Sequence, residues 1–323
     1  MGVKEKKEAN RFAYGAALRE MGKRYPQLIV MDADVAQSTR SIEFGSAFPE
    51  RFFNMGIAEA NMVSMAAGLA TMGYIPVVNT FSFLLCERAL DQIRSGVAYN
   101  HLPVKFAAHY GGLSDSYDGA SHHSVTDLGI IGSIPGMTMI VISDAAQMRS
   151  ALPAILEYDG PVYFRLCRAE MPLIHAEGEP FIPGKGVLLA DGNDLTLVVT
   201  GVLLSRVLRA RELLAQEGIR ARVVEIHTIK PLDRDLIVEC ARETGAMVVC
   251  EEGNVLGGLG AAVSQTLSRI EPIPIDFVGM DDCYAESGGY DELLDRYGMS
   301  VDCLIQKARL VCRRKKIFQK NEK

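Results

Sequence analysis

The sequence predicts an α/β protein of two domains, a doubly wound and mostly parallel sheet followed by a smaller α/β domain. Short apolar runs alternate with helix-like segments, a pattern typical of a parallel sheet covered on both faces. The chain has 323 residues, more than one hydrophobic core usually organises. Between residues 171 and 193 the alternation gives way to Pro, Gly and isolated charges. We therefore place the first domain at 1–175, a linker at 176–192 and the second domain at 193–323.

The first domain is predicted to alternate helices and strands throughout. A helix over 6–24 and a strand at 28–31 precede the polar run 32–40, which is either a ligand-binding loop at the sheet edge or a solvated turn. A helix over 58–72 follows and ends at Gly73. The remaining predicted elements are strands at 74–78, 103–108, 137–142 and 161–165 and helices at 87–99, 124–132 and 144–157.

The second domain repeats this alternation. Strands are predicted at 195–200, 221–226 and 246–251, with helices that end near residues 216 and 244. The run Gly257-Gly-Leu-Gly260 follows the last of these strands but lacks the complete G-x-G-x-x-G spacing of a dinucleotide site. We therefore predict a small α/β unit without a nucleotide.

Composition excludes several classes of function. The net charge of -6 argues against a nucleic-acid binder, because neutralising phosphates requires a basic surface. Apolar runs are too short to span a membrane, and the N-terminus lacks the apolar core of a signal peptide, so we expect a cytoplasmic protein. The seven cysteines are scattered and never form a C-x-x-C pair, which predicts reduced thiols and neither disulfides nor a zinc site.

A single carboxylate, Glu59, opens the apolar helix over 58–72. A buried charge is costly unless it is used or paired, although capping the helix N-terminus would also explain it. The helix carries Ala, Gly or Ser at positions 60, 64, 66, 67, 68 and 70. These small side chains let another backbone approach closely, so the helix is a candidate for self-association in an isologous dimer.

A long loop over 109–123 follows the strand at 103–108 and contains Asp118-Gly-Ala-Ser-His122. Long loops inside compact domains are usually functional. This motif and Gly56-Ile-Ala-Glu59 together resemble the pyrimidine-binding domain of the transketolase family of thiamine diphosphate enzymes, and the resemblance covers nearly the whole chain. The resemblance implies that Glu59 hydrogen-bonds the ring nitrogen of the cofactor's aminopyrimidine, shares a proton with it and so activates the cofactor.

The resemblance also implies the substrate contacts. Asp118 would bind substrate hydroxyls, and His122 would hydrogen-bond the oxygens at the reacting carbons. His123 stands where the family usually has Gln. The rest of the family pattern implies that Ser38, His109 and Arg168 bind the phosphate of a sugar phosphate substrate.

One stretch departs from the family pattern. Family members have Thr-Phe-x-x-Phe, in which the second Phe stacks on the aminopyrimidine, whereas this chain has Thr80-Phe-Ser-Phe-Leu84. Either Phe83 reaches the ring or the ring lies on Leu84, with Phe81 as the remaining aromatic neighbour.

The Gly-Asp-Gly…Asn motif that binds diphosphate and metal in this family is missing from the sequence. The chain thus resembles the C-terminal subunit of a split transketolase. The resemblance implies a separate N-terminal subunit that holds the diphosphate and Mg²⁺ or another divalent cation, no metal ligand in this chain, and an α2β2 assembly.

Three other functions remain open. The chain could be a relative of the β-subunit of 2-oxo acid dehydrogenases or of deoxyxylulose phosphate synthase. It could also be a non-catalytic regulatory or scaffold subunit, which Leu84 favours.

Overall fold

Alternating apolar segments form two large sheets, and two short strands form a third, in a computed structural model, which describes residues 6–321 and their side chains through residue 318. In chain order, the first part contains β1 (Lys7–Ala9), α1 (Asn10–Arg24), β2 (Leu28–Asp32), α2 (Ala36–Thr39), α3 (Ile42–Ala47), β3 (Phe52–Asn54), α4 (Glu59–Thr71), β4 (Ile75–Phe81), α5 (Ser82–Arg88), a π-helix (Gln92–Ala98), β5 (Lys105–His109), α6 (Asp127–Gly132), β6 (Thr138–Val141), α7 (Ala145–Glu157), β7 (Val162–Arg165) and β8 (Glu170–Pro172). The second part contains β9 (Val187–Ala190), β10 (Leu195–Val199), α8 (Leu204–Gln216), β11 (Ala221–Glu225), β12 (Thr228–Lys230), α9 (Arg234–Thr244), β13 (Met247–Asn254), α10 (Gly258–Ile270), β14 (Ile275–Met280), α11 (Tyr290–Arg296) and α12 (Val301–Asn321).

The larger sheet has seven strands in the order β12-β6-β7-β5-β4-β2-β3, all parallel except β12. Successive strand residues face opposite sides, so Val77 packs beneath α1 and α7 while Val78 packs beneath α4 and α6. Both faces are therefore covered, which confirms the predicted doubly wound domain.

The second sheet has the order β14-β13-β10-β11-β9 and is parallel except for β9. Its core includes Leu197, Val248 and Val278, which are fully or almost fully buried, with α8 and α12 packed over them. This smaller α/β unit was also predicted.

Four short elements differ from the predictions. Residues 7–9, expected to be helical, form β1 and pair with β8. Residues 187–190, expected to belong to the linker, form β9 of the second sheet. β12 follows the predicted domain boundary but joins the first sheet, and the helix expected over 87–99 divides into α5 and the π-helix. Three- or four-residue strands carry too little periodicity to be read from sequence, because their position depends on tertiary pairing.

Among residues 6–321, no helix has both the length and the apolar character required to cross a bilayer.

Candidate active site

The carboxyl ends of four neighbouring strands form one edge of the larger sheet. In sheet order these strands are β7, β5, β4 and β2, and they end at Arg165, His109, Phe81 and Asp32. Parallel strands bring the residues that follow them to the same edge, where open α/β sheets bind ligands. Ser38 follows β2 at this edge, and the loop over 110–124 follows β5. This edge is the candidate active site.

Glu59 is the first residue of α4, and its side chain is only 3% exposed. Its carboxylate oxygens lie 3.4 and 3.5 Å from one guanidinium nitrogen of Arg88, whose own side chain is half exposed. Charge-assisted hydrogen bonds are normally shorter, so this contact is weak. The Glu59 carboxylate can therefore accept a better hydrogen bond from a ligand.

Aromatic side chains line the site next to His122. The Phe81 ring stacks on Tyr110, with ring centres 4.4 Å apart and planes 15° apart. The His122 ring centre lies 6.4 Å from that of Phe81 and 5.3 Å from that of Phe83. Leu84 is the next residue of α5 and is half-buried. Two phenyl rings thus supply aromatic surface at this position even though residue 84 is a leucine.

Arg11 and Tyr110 connect Ser38 to Arg168. One guanidinium nitrogen of Arg11 donates to the Ser38 carbonyl oxygen at 3.3 Å and to the Tyr110 hydroxyl at 3.0 Å. The guanidinium carbons of Arg168 and Arg11 lie 5.1 and 6.0 Å from the centre of the Tyr110 ring. Arg11 Nε is buried and has no hydrogen-bond partner in the described part of the chain. Two guanidinium groups beside a serine suit an anionic group with several oxygens.

Asp115, Asp118 and His122 converge at the tip of the loop, where one ligand atom from each lies within 4.8 Å of the others. Asp115 is buried and forms an ion pair with Arg168. Burial raises the pKa of Asp115, and the Arg168 guanidinium opposes this rise. The cluster offers hydrogen-bond donors and acceptors to neighbouring hydroxyl groups of a sugar. The same spacing would admit a metal ion, a possibility that the sequence did not predict.

His109 lies behind the site. Its imidazole is fully buried and packs edge-on against Tyr14, with ring centres 5.0 Å apart. Burial and then the nearby Arg11 lower the pKa of His109 to about 3, so the ring is neutral at physiological pH. The His109 ring, predicted to contact phosphate, is buried and both its nitrogens lack hydrogen-bond partners among residues 6–318, whereas Arg11 lies directly beside Ser38.

The sequence predictions missed Arg11, Tyr110 and Asp115. Arg11 lies in the first turn of α1, where nothing local distinguishes it from exposed basic residues of the same helix such as Arg19. Tyr110 has a φ of 62°, a left-handed conformation that bulky residues rarely adopt and that sequence patterns do not reveal. The only available signal for Asp115 was its place in the long polar loop.

Several buried polar atoms at this edge lack hydrogen-bond partners among residues 6–318. They include Thr80 Oγ1, Asp115 Oδ2, Ser124 Oγ and both ring nitrogens of His109 and His123. Buried polar atoms in native proteins are nearly always hydrogen-bonded. Their concentration here indicates a site that a polar ligand or ordered water completes.

The fold and the site define a subunit of a cofactor-dependent α/β enzyme. The family model for the transketolase pyrimidine-binding domain matches residues 6–173, and the model for the transketolase C-terminal domain matches residues 184–304. The chain therefore belongs to the transketolase family, which depends on thiamine diphosphate.

Similar proteins include separate subunits and longer single chains. The chain is 38% identical over 305 residues to the 6-deoxy-6-sulfo-D-fructose transketolase subunit SqwH of Clostridium sp. (strain MSTE9), covering 94% of this chain and 95% of that protein. It is 35% identical to 1-deoxy-D-xylulose-5-phosphate synthase 1 of Geobacter sulfurreducens, covering 90% of this chain but 45% of that protein. A solved structure described as a split gene transketolase, inactive beta4 tetramer, is 42% identical with a TM-score of 0.87, covering 95% of this chain and 99% of that one. These comparisons confirm a transketolase-family subunit of the split type.

The residues present fit the aminopyrimidine end of thiamine diphosphate. Glu59 provides a buried carboxylate, Phe81 and Phe83 provide flat apolar surface, and Thr80 Oγ1 is an unsatisfied polar atom at the end of β4. Arg88 lies beside Glu59, whereas Arg11 lies beside Ser38, where a substrate anion rather than the cofactor would be expected.

Proposed function

We propose that the chain is the C-terminal subunit of a two-chain transketolase. With a separate N-terminal subunit, it would transfer a two-carbon ketol unit from a ketose phosphate to an aldose phosphate. The N-terminal subunit would hold the diphosphate of the cofactor and Mg²⁺ or another divalent cation. When bound, thiamine diphosphate supplies the nucleophilic carbon that cleaves the ketose.

The observation that supports this proposal most directly is the grouping of side chains at the carboxyl edge of the larger sheet. Glu59 is buried at the start of α4, the Phe81 and Phe83 rings lie beside His122, and Arg11 and Arg168 both lie near the Tyr110 ring that stacks on Phe81. The two guanidinium groups would suit the dianion of a ketose phosphate and His122 its carbonyl oxygen, while Glu59 would act on the cofactor.

Each residue then has a role that its environment permits. Glu59 accepts or donates a proton at the aminopyrimidine ring nitrogen, and burial shields this exchange from water. His122 and Asp118 hydrogen-bond the hydroxyl and carbonyl oxygens of the donor. Arg11, Ser38 and Arg168 hold its anionic end, and His109 supports the cleft wall from behind.

These contacts do not determine which anionic group the donor carries. A phosphate and a sulfonate both offer oxygens to two guanidinium groups, and the SqwH relative is named for a sulfonated sugar. Xylulose 5-phosphate and 6-deoxy-6-sulfo-fructose are therefore the two donors to compare, each with an aldose phosphate as acceptor.

Reconstitution tests the proposal. The chain is mixed with its candidate N-terminal subunit, thiamine diphosphate and Mg²⁺, and ketose consumption is followed. We expect Glu59→Gln to lower kcat by roughly a hundredfold or more, since general acid–base groups contribute at this level. Glu212→Gln, on the exposed face of α8, is the matched control and should retain full activity. Turnover by Glu59→Gln equal to that of the wild type would overturn the assigned mechanism.

The relatives support one further candidate. Similarity to 1-deoxy-D-xylulose-5-phosphate synthase extends over 90% of this chain. Release of carbon dioxide from pyruvate in the presence of glyceraldehyde 3-phosphate, without ketol transfer, would favour that reaction. Pyruvate decarboxylation without the aldose would instead favour the 2-oxo acid dehydrogenase relationship. Absence of thiamine diphosphate binding with the partner present would favour a scaffold subunit.

A further inference from the structure

The loop over 110–124, here called the substrate loop, lies between the candidate site and the C-terminal domain. Asp115, Asp118 and His122 converge at the site. Other positions of the same loop, Leu113, Ser116 and Gly119, contact the C-terminal domain. The two sets alternate along the chain, so the surface that supports the loop is formed by a domain without predicted catalytic residues.

The first contact involves Glu252, a buried residue within β13. Its Oε1 accepts a hydrogen bond from the backbone N–H of Leu113 at 2.8 Å and another from the Tyr290 hydroxyl at 3.0 Å. Glu252 is almost completely buried, and burial raises its pKa to about 7 although Arg165 opposes this rise. A buried acceptor that holds a loop N–H fixes the position of that backbone segment.

The second contact involves residues 287 and 288. The backbone N–H of Gly288 donates to the Ser116 carbonyl oxygen at 3.1 Å. Gly119 has a φ of 76°, and a Cβ there would lie 2.3 Å from Ser287 Oγ. The residue directly after Asp118 thus lies against the C-terminal domain without room for a side chain. The sequence Ser287-Gly-Gly-Tyr290 has no role in the ketol transfer described above.

The base of the loop is fixed as well. Arg165, at the end of β7, lies 3.5 Å from the Asp127 carboxylate and donates to the Glu252 carbonyl oxygen at 2.7 Å. Its side chain fills the space beside Gly111 and Gly112, where added Cβ atoms would lie 2.0 and 2.5 Å from its nitrogens. The loop therefore has little freedom to move as a whole without breaking contacts between the domains.

We propose that Glu252 and the segment Ser287–Tyr290 are positioning residues for the substrate loop, so that the C-terminal domain sets the positions of Asp118 and His122. This proposal rests on the proposed function for its effect on catalysis. Its structural part, the restraint of the loop, stands independently of any activity. A substrate binds more weakly to a loosened loop than to a preformed one, because part of the binding free energy must then be spent on ordering the loop.

The test compares Tyr290→Phe, Glu252→Met and Glu252→Gln in the full chain. Tyr290→Phe removes one donor to Glu252, and Glu252→Met removes the acceptor of the Leu113 N–H. Glu252→Gln retains a carbonyl oxygen and should rescue the Met variant. Tyr25→Phe is the control, because the Tyr25 hydroxyl bonds Glu157 at the opposite edge of the sheet.

Two measurements are made on each variant. Hydrogen exchange of the isolated chain should show faster exchange over 113–123 in Tyr290→Phe and Glu252→Met, and unchanged exchange in β4 and β10. In the reconstituted enzyme the donor KM should rise roughly fivefold or more in both variants, while kcat stays nearly unchanged. A rise of this size corresponds to the free energy of about one hydrogen bond that no longer orders the loop. Glu252→Gln and Tyr25→Phe should match the wild type in both measurements.

The outcomes separate this proposal from the proposed function. Unchanged loop exchange in both Tyr290→Phe and Glu252→Met would overturn it, and so would faster loop exchange with an unchanged donor KM. If the wild-type pair shows no turnover, the ketol transfer proposal fails, while the exchange data still decide whether Glu252 and Tyr290 restrain the loop. Exchange that rises throughout the chain would indicate global destabilisation and would also contradict a positioning role.

Discussion

At the scale of single residues, one backbone angle arranges the candidate anion site. Tyr110 directly follows β5 with a φ of 62°, which turns its ring back over the sheet edge instead of continuing the strand. A non-glycine residue in this region costs of the order of 1 kcal/mol, so surrounding contacts must hold it there. The stacked Phe81 ring and the hydrogen bond from Arg11 are such contacts. Strain of this kind is common at functional sites.

Arg11 is predicted to bind the anionic end of the donor. Arg11→Met should raise the KM for xylulose 5-phosphate roughly ten- to hundredfold, because a hydrogen bond to a charged group contributes about 1.5–3 kcal/mol. kcat should stay within about threefold of the wild type, since the contact is equally present in ground and transition states. Steady-state kinetics of the reconstituted enzyme measures both constants.

Two controls make this result specific. Arg24→Met, at the exposed C-terminal end of α1, removes the same charge far from the sheet edge and should leave KM unchanged. The KM penalty of Arg11→Met should disappear with unphosphorylated xylulose as donor. A penalty of equal size for both donors would indicate a general disturbance of the cleft instead of lost anion binding.

Motifs predicted some of these residues and not others for a physical reason. Ser38, His122 and Arg168 follow strands or occupy a recognisable loop, and the structure brings them to one cleft. Arg11 reaches the same cleft from a helix that is distant in sequence from the loop. Its contact with Tyr110 spans 99 positions, and only the folded sheet brings the two together.

At the scale of whole elements, the most exposed side of α4 runs along one stripe. Its exposed positions are Ile57 just before the helix, then Asn61, Ser64, Met65, Gly68 and Thr71, and Met72 just after it. The spacing of three or four residues places them on one face. Of the small residues noted in the sequence, Ala66 and Ala70 face the core instead, and Ala67 approaches the π-helix at Gly96. Only part of the small-residue pattern is thus free to meet another chain.

We predict that Gly68→Leu blocks self-association through this stripe. A Cβ at Gly68 meets no atom of residues 6–318 within 4 Å, so leucine fits the isolated chain, and leaving glycine should favour the helix by roughly 0.5–1 kcal/mol. In an assembly with α4 at the interface, however, the larger side chain would clash with the neighbouring chain. Sedimentation velocity should show a smaller species with an unchanged or higher Tm.

The matched control for this prediction is Ala215→Leu, on the exposed end of α8 in the C-terminal domain. It adds leucine to a helix surface outside the stripe and should leave the assembly state unaltered. An assembly unaffected by Gly68→Leu would mean that α4 faces solvent in the oligomer.

The sequence led to no prediction for β3 or for the elements after β13, and two short strands that join distant parts of the chain were also missed. β9 and β12 each have three or four residues and lie at sheet edges. Buried strands such as β2 and β4 were predicted because a continuous apolar run of four or five residues bounded by turns is itself informative. An edge strand has no such run, and its existence depends on the partner strand that happens to lie beside it.

At the scale of the whole molecule, His175 connects both domains. Its Nδ1 lies 3.1 Å from the Asp144 carboxylate in the first domain, and its Nε2 lies 2.8 Å from the Glu225 carboxylate at the end of β11. Burial disfavours the charged imidazole, but the hydrogen bonds of the two carboxylates outweigh it and raise the pKa of His175 to about 10. The same interaction lowers the pKa of Asp144 and Glu225 in spite of their burial. A charged histidine thus lies between two buried carboxylates.

This arrangement predicts how stability depends on pH. The folded state holds the His175 proton more tightly than the unfolded chain, so its contribution is complete below about pH 6.5 and is lost as the pH rises through about 10. His175→Gln should therefore lower Tm by roughly 5 °C or more at pH 6, and the difference from wild type should shrink towards pH 10. Calorimetry of both proteins between pH 6 and pH 10 measures this Tm difference. The other titrating groups are the same in both proteins, so their contributions cancel.

His101→Gln, which replaces an exposed histidine, serves as the control and should show no such pH-dependent difference. A Tm difference between wild type and His175→Gln that stays constant from pH 6 to 10 would exclude a charged His175 as the stabilising group. At acidic pH the two carboxylates have the opposite effect. Folding lowers the pKa of Asp144 and Glu225, so their contribution to stability is lost as the pH falls through these lowered values.

The proposed division of the thiamine diphosphate site between two chains leads to the last prediction. This chain offers Glu59 and two phenyl rings to the aminopyrimidine, while the motif expected to bind diphosphate and metal is missing from its sequence. By calorimetric titration, the isolated chain should therefore bind thiamine and thiamine diphosphate equally weakly, with Kd of roughly a millimolar. With the N-terminal subunit and Mg²⁺ present, thiamine diphosphate should bind roughly a thousandfold more tightly, because both ends are then held at once.

Glu59→Ala should weaken this tighter binding, whereas Glu212→Ala should not. Micromolar binding of thiamine diphosphate to the isolated chain, with discrimination against thiamine, would show that this chain holds the diphosphate itself and that the division of the site is wrong.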